Sequence, residues 1–376
     1  MSSALTPPQH TPSATWSEQL LRLHIDVWLL GLLAAVGCLG LVVLYSSSGG
    51  DSREVFAQFQ RLTLGFIVMC VLAQVPPDYY RAGAPWFYGA ACILLGLVLL
   101  LGDHAKGAQR WLDLGVIRFQ PSEMMKLAMP MMVAAWLHGR PLPPNWRDVI
   151  VTLVLIGVPA VMVMLQPDLG TALLIIAAGG FALYLGGLPW RWIAGAAVTL
   201  TAAAPLLWYR LHDYQRNRVL TFLNPESDPL GTGYHITQSK IAIGSGGAFG
   251  KGLFNGTQAK LDFLPESHTD FIFAVLAEEL GMIGVIALLS LYIAIVGRGL
   301  FIAMRGHDSF QRLLAGALSL TFFIYVFINM GMVMGLMPVV GVPLPLFSYG
   351  GTSAVTLLAS FGILMSIHTH RKLLTS

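Results

Sequence analysis

Apolar residues in this 376-residue chain fall in long unbroken runs, separated by short polar stretches. A hydrocarbon core of ~30 Å needs about 20 such residues to cross it as a helix. Ten runs come close to that length, at roughly 27–46, 62–76, 84–102, 122–139, 148–165, 169–187, 190–209, 271–297, 311–334 and 350–368. The second is short and the fourth carries charge. No alternation of period two marks an amphipathic strand, so the pattern predicts an all-α, polytopic membrane protein of about ten transmembrane helices. One large loop, 211–267, is expected on the extracytoplasmic side. Residues 1–26 read as a disordered cytoplasmic tail before a signal-anchor helix, and 27–376 as a single membrane domain.

Composition agrees. Hydrophobic residues make up 55% of the chain and charged residues 11%, against about 25% charged in a soluble domain. Cys38, Cys70 and Cys92 all lie in apolar runs, and an odd count there gives no disulfide framework. The net charge of +3 comes without a basic, aromatic-rich stretch, so nucleic acid is not an expected partner. With an even number of spans both termini share a side. That side carries ten Lys and Arg residues and the other twelve. Six of the twelve lie in or at the edge of the 211–267 loop, and long loops translocate with little regard to charge. Setting that loop aside predicts both termini in the cytoplasm.

Parity is more informative. Four polar segments, Gln120-Pro121-Ser122-Glu123, Gln166-Pro167-Asp168-Leu169-Gly170-Thr171, Ser267-His268-Thr269-Asp270 and Phe347-Ser348-Tyr349-Gly350-Gly351, each precede an even-numbered helix. Ten spans put all four on the side opposite the termini. Helix N-termini present unsatisfied N–H groups and the positive end of the macrodipole, which suits an anionic ligand.

Ionisable residues within spans are costly and mark sites or internal pairs. Glu123 and Lys126, three apart, share a helical face and can pair, either as a structural bridge or as part of a cleft. Asp168 is placed to cap a helix, a role compatible with a second one. Asp270 is the foremost candidate. Thr269 can cap in its place, and Ala274, Ala277, Glu278 and Gly281 continue a small, polar stripe that predicts a protein cavity, where a carboxylate can act as general base. Glu278 and Glu279 read as structural pairing residues. Lys106 and Arg110, with Arg216, Arg218, Lys240 and Lys251 of the long loop, could clamp a pyrophosphate, or could simply be solvated loop cations. His104, His235 and His268 lack metal-ligand spacing.

The segments Lys106-Gly107-Ala108-Gln109-Arg110-Trp111-Leu112, Phe119 to Glu123, Gln166 to Thr171, His268 to Phe273 with Glu278-Glu279-Leu280-Gly281, and Pro345 to Gly351 together resemble the SEDS (shape, elongation, division and sporulation) proteins. The resemblance runs from about residue 27 to the C-terminus. Asn224 to Leu230 and Tyr234 to Gly247 resemble its elongation-type branch. It implies a ten-helix peptidoglycan glycosyltransferase that polymerises lipid II for cell elongation and rod shape. The enzyme would sit in the bacterial cytoplasmic (inner) membrane, with its active site on the extracytoplasmic face. It would work with a class B penicillin-binding protein and the elongation machinery. The resemblance makes Asp270 the catalytic residue and Glu123, Lys126 and Asp168 cavity residues, and Ser348 is counted with them as substrate-binding. It also implies a divalent cation, Mg or Mn, and no organic cofactor.

Two rival classes are a lipid II flippase and a non-catalytic scaffold for a transpeptidase. Transporters often show inverted repeats and polar residues at mid-membrane; here no repeat is evident and the polar segments gather at one face. A scaffold needs packing surfaces more than a polar stripe headed by an aspartate.

Overall fold

The computed structural model describes residues 23–105, 108–113, 118–210, 213–224, 228, 231–261, 263–264 and 266–370. The tail before residue 23 and Lys106 therefore lie outside the described residues. Among the described residues, ten longer helices follow the order of the ten expected spans. They are α1 (Val27–Ser47), α2 (Ser52–Ala73), α3 (Pro77–Leu101), α4 (Pro121–Leu137), α5 (Trp146–Met164), α6 (Leu169–Leu185), α7 (Trp190–Arg210), α11 (Ile272–Met304), α12 (Ser309–Val333) and α13 (Thr352–Thr369). Seven of them (α1, α2, α3, α5, α11, α12 and α13) are long and apolar enough to cross a membrane, and α6 is a shorter apolar helix. The chain is an integral membrane protein.

Three additions were not expected. A small antiparallel sheet, β1 (Asp103–Ala105), β2 (Ala108–Asp113) and β3 (Arg118–Phe119), joins α3 to α4. The segment read as one long loop folds into α8 (Asp213–Leu223), α9 (Thr232–Gly246) and the short α10 (Thr257–Lys260). And α11 is broken at Gly281, whose φ of 63° and ψ of −159° are non-helical. The stub from Ile272 to Leu280 is thus set off from a shaft that continues to Met304.

Local chemistry explains most boundaries. Asp26, Asp51, Asp168 and Asp308 each cap a helix with a side-chain oxygen, and Pro77 and Pro121 occupy first-turn positions that need no N–H. Asp26 is only 2% exposed and accepts from Arg298 Nη2 at 2.8 Å, with His368 Nε2 at 3.7 Å. This joins the chain's two described ends to α11. Glycines let helices approach closely, as bilayer packing favours: a Cβ at Gly362 would strike the Met69 carbonyl, and one at Gly65 would strike Leu358. α12 is the central post, packed against α4, α6, α11 and α13. α7 stands off, with all of its described side chains exposed or half-exposed.

Candidate active site

The four polar segments do converge on one side. The loop between α12 and α13 acts as their common floor. A Cβ at Gly170, in the first turn of α6, would fall on Val340 and Val342. Gly341, with φ 75°, passes beneath Asp270, whose Oδ2 lies 3.5 Å from where a Cβ would stand. The Tyr349 N–H donates to the His268 carbonyl at 2.9 Å. Ser348 is buried; its Oγ accepts from the Leu344 N–H at 2.8 Å, and its carbonyl accepts from Gln58 Nε2 at 3.1 Å. Its hydroxyl thus shapes the floor.

Glu123 and Lys126 pair at 2.6 Å with both side chains less than a tenth exposed. The second Glu123 oxygen accepts from Thr356 Oγ1 at 3.1 Å, which ties α4 to α13. Lys126 Nζ sits 4.9 Å from the centroid of the Tyr325 ring on α12, a favourable cation–π distance. Thr321, Phe322, Leu357 and Ser360 complete the walls of this cleft.

Asp168 both caps α6 and binds outward. It accepts from the Thr171 N–H at 3.1 Å and from Thr171 Oγ1 at 3.0 Å. Gln120 Nε2 reaches it at 3.4 Å and Arg110 Nε at 3.6 Å. Arg110 also donates to the carbonyls of Gln166 and Pro167. The segments before α4 and α6 are therefore stitched together by β2.

Asp270 does not sit in a helix. It lies half-buried in the turn before α11, whose N-cap is Phe271 without a side-chain cap bond. The expected cap from Thr269 is not formed, because the helix starts at Ile272 with Phe271 in the cap position, and the Thr269 hydroxyl instead donates to Glu266 at 2.9 Å. Asn329 Nδ2 of α12 donates to the Asp270 carbonyl at 3.0 Å. The stripe of Ala274, Ala277 and Glu278 does not face a cavity: it is buried against α9 and the glycine turns, where a Cβ at Gly246 would strike the Ala277 carbonyl. Glu278, fully buried, accepts from Lys251 Nζ at 2.6 Å and from the Thr257 N–H at 2.8 Å. Glu279 accepts from Ser46 Oγ at 2.6 Å. Both glutamates are structural. His235 of α9 stacks on Phe271 with centroids 5.7 Å apart. Burial holds its pKa below the ordinary histidine value against opposing pulls from Glu266 and Asp228.

The loop cations divide. Arg216 donates to the carbonyls of Trp208 and Tyr209 at 2.9 and 2.8 Å, closing the C-terminal end of α7. Arg218 reaches the Val340 carbonyl at 3.3 Å and so braces the floor. Lys240 is exposed beside Gly335 at the end of α12. Among the described residues no three His, Cys, Asp or Glu side chains gather to hold a metal.

Asn329, Tyr325, Thr356, Gln58 and the Val340–Val342 run were not singled out in the sequence. Asn329 and Gln58 could have been, as amides within or beside apolar runs; Val340 to Val342 carry no chemical signal.

The fold and the site define a polytopic helical membrane protein whose polar segments gather around an aspartate. Residues 26–373 match the cell cycle protein family of FtsW, RodA and SpoVE, and the chain belongs to it. It is 53% identical over 355 residues to the peptidoglycan glycosyltransferase MrdB of Escherichia coli K12, covering 94% of this chain and 96% of that one. It is 39% identical over 357 residues to a probable peptidoglycan glycosyltransferase FtsW of Halorhodospira halophila, covering 91% and 90%. A chain solved in a peptidoglycan synthase complex superposes with TM-score 0.82 at 34% identity, covering 92% of this chain and 99% of that one. The rod shape determining protein RodA of Thermus thermophilus superposes with TM-score 0.71 at 32% identity, covering 92% and 98%.

Proposed function

We propose that this chain is a peptidoglycan glycosyltransferase that polymerises lipid II, with Asp270 as general base. The observation that carries the reading is the placement of Asp270. It stands half-buried in a turn, braced through its backbone and lying against the loop that also touches the Asp168 segment. A half-buried carboxylate in such a turn is suited to take a proton from a substrate hydroxyl.

In the proposed reaction Asp270 takes the proton from the 4-hydroxyl of the acceptor N-acetylglucosamine. The oxygen bonds to the anomeric carbon of the donor as the bond from that carbon to undecaprenyl pyrophosphate breaks, with inversion. The pyrophosphate departs as an anion among helix N-termini, with the exposed Lys240 and half-exposed Arg110 as candidate partners. No covalent enzyme intermediate is needed. We place both termini in the cytoplasm and the site on the extracytoplasmic face, where lipid II is consumed. The partner is a class B penicillin-binding protein within the elongation machinery, a reading supported by the similarity to a chain of a peptidoglycan synthase complex.

The test is polymerisation of fluorescent lipid II by the purified protein with that partner, in the presence of a drug that blocks ordinary penicillin-binding glycosyltransferases. Wild type should give a glycan ladder, and Asp270→Asn, folded and partner-bound, should give none. Equal ladders would sink the base assignment, and no ladder from either would move the reading to transport or scaffolding.

A further inference from the structure

We propose that Asn329 is a positioning residue for the reaction, holding Asp270 against the α12–α13 loop; this rests on Asp270 being the base. Asn329 is fully buried on α12. Its Nδ2 makes two bonds, to the Asp270 carbonyl at 3.0 Å and to the Val342 carbonyl at 2.7 Å. Two facing carbonyls fix the amide's orientation, because only the NH₂ end can donate to both. The amide therefore clamps the peptide that carries the base to the peptide after Gly341, the glycine that runs beneath the base's own carboxylate. Among the described residues Asn329 Oδ1 has no hydrogen-bond partner, and the side chain acts as donor in both of its bonds.

Its place on α12 gives the clamp a fixed reference. Tyr325, one turn earlier on the same face, lies under Lys126. One helix face thus supports the Glu123–Lys126 pair and the Asp270 turn together, and the spacing of the two is set by helical geometry. The Asp270 turn needs such an external anchor because it lies outside the regular hydrogen bonding of α11. Misplacing a catalytic group by about 1 Å can cost on the order of 100-fold in rate.

The test uses the full chain with its partner, following initial rates of lipid II polymerisation against substrate concentration and pH. Asn329→Leu keeps the volume and removes both donors. It should lower kcat at least about tenfold at every pH while KM stays within about twofold. Asn329→Asp keeps the shape. Ionised, it sets a charge against two carbonyls; protonated, it donates one bond again. Its rate relative to wild type should therefore rise as pH falls, whereas the Asn329→Leu ratio stays flat. A merely structural residue would lower the folded yield and leave kcat per folded molecule and the pH ratio unmoved. Wild-type kcat in Asn329→Leu, or a flat ratio in Asn329→Asp, overturns the proposal when Asp270→Asn is inactive. An active Asp270→Asn would instead remove the base reading on which the proposal stands. Should Asn329→Leu not fold, the Asn329→Asp pH ratio decides alone.

Discussion

The Glu123–Lys126 pair permits a quantitative separation of structure from chemistry. Both side chains are under a tenth exposed and 2.6 Å apart. Removing one partner of a buried pair strands the other charge, at a cost of about 3–5 kcal/mol, whereas replacing both with apolar groups of similar volume is often neutral. Lys126→Met strands Glu123, which keeps the Thr356 hydroxyl, so its loss should fall at the lower end. Glu123→Leu strands an ammonium that keeps the Tyr325 ring but no hydrogen bond among the described residues, so its loss should fall at the upper end. At about 2–4 °C per kcal/mol the single variants should melt on the order of 10 °C below wild type, and the double variant within a few degrees of it. Scanning fluorimetry of the solubilised protein measures this, and lipid II polymerisation is read on the same samples. Recovery of both stability and activity in the double variant would make the pair a strut. Recovery of stability alone would make it a strut that also meets substrate. A double variant whose loss equals the sum of the single losses would refute the buried coupling on which the argument depends.

Two further outcomes are expected. Gly281→Ala places a Cβ against Gly250 and the Ala248 carbonyl at a φ of 63°, a conformation costing on the order of 1–3 kcal/mol for a non-glycine residue before the clash is counted. It should lower the folded yield measured by size-exclusion chromatography, and a yield equal to wild type would contradict the docking described for the α9 turn. His24 stacks on His370 at 3.8 Å, and its pKa is held below the ordinary value by burial first and by His370 second. The folded state then binds fewer protons than the unfolded one, so stability contributed here is present above about pH 6.5 and is lost as pH falls. The melting temperature should drop between pH 7.5 and 5.5, and drop less in His24→Gln; an identical drop in both would remove the contribution.

The helices were legible because bilayer thickness imposes a length on any apolar run, but their ends were legible only where chemistry marks them. Asp168 and Pro121 announce starts that the structure keeps. α2 begins at Ser52, ten residues before the apolar run, because Gln58 and its polar neighbours look unlike a membrane segment while Gln58 is spent inside the protein on Ser348 and Gly350. The site was legible as four segments on one side, since parity follows from counting. The break at Gly281 was not. The residue reads as one more small member of a stripe, and only the docking of Gly250 against it requires its positive φ. For the same reason the stripe was assigned to a cavity when it is covered by α9. The role of Val340 to Val342 was hidden because they act through backbone carbonyls, which carry no residue identity.

That break also sets how the aspartate is mounted. The turn bearing Asp270 leads into the stub from Ile272 to Leu280. The footing of that stub is the 246–258 segment, fastened by Glu278 to Lys251 and Thr257. The same segment also accepts from the Met282 and Ile283 N–H groups at 3.0 and 3.2 Å, so it splints stub and shaft across the break, and the shaft's far end is held by Arg298 on Asp26. The aspartate is thus carried on a short bracket whose joint to the bilayer-long part of its own helix is stiffened from outside, by a turn bonded on both sides of Gly281.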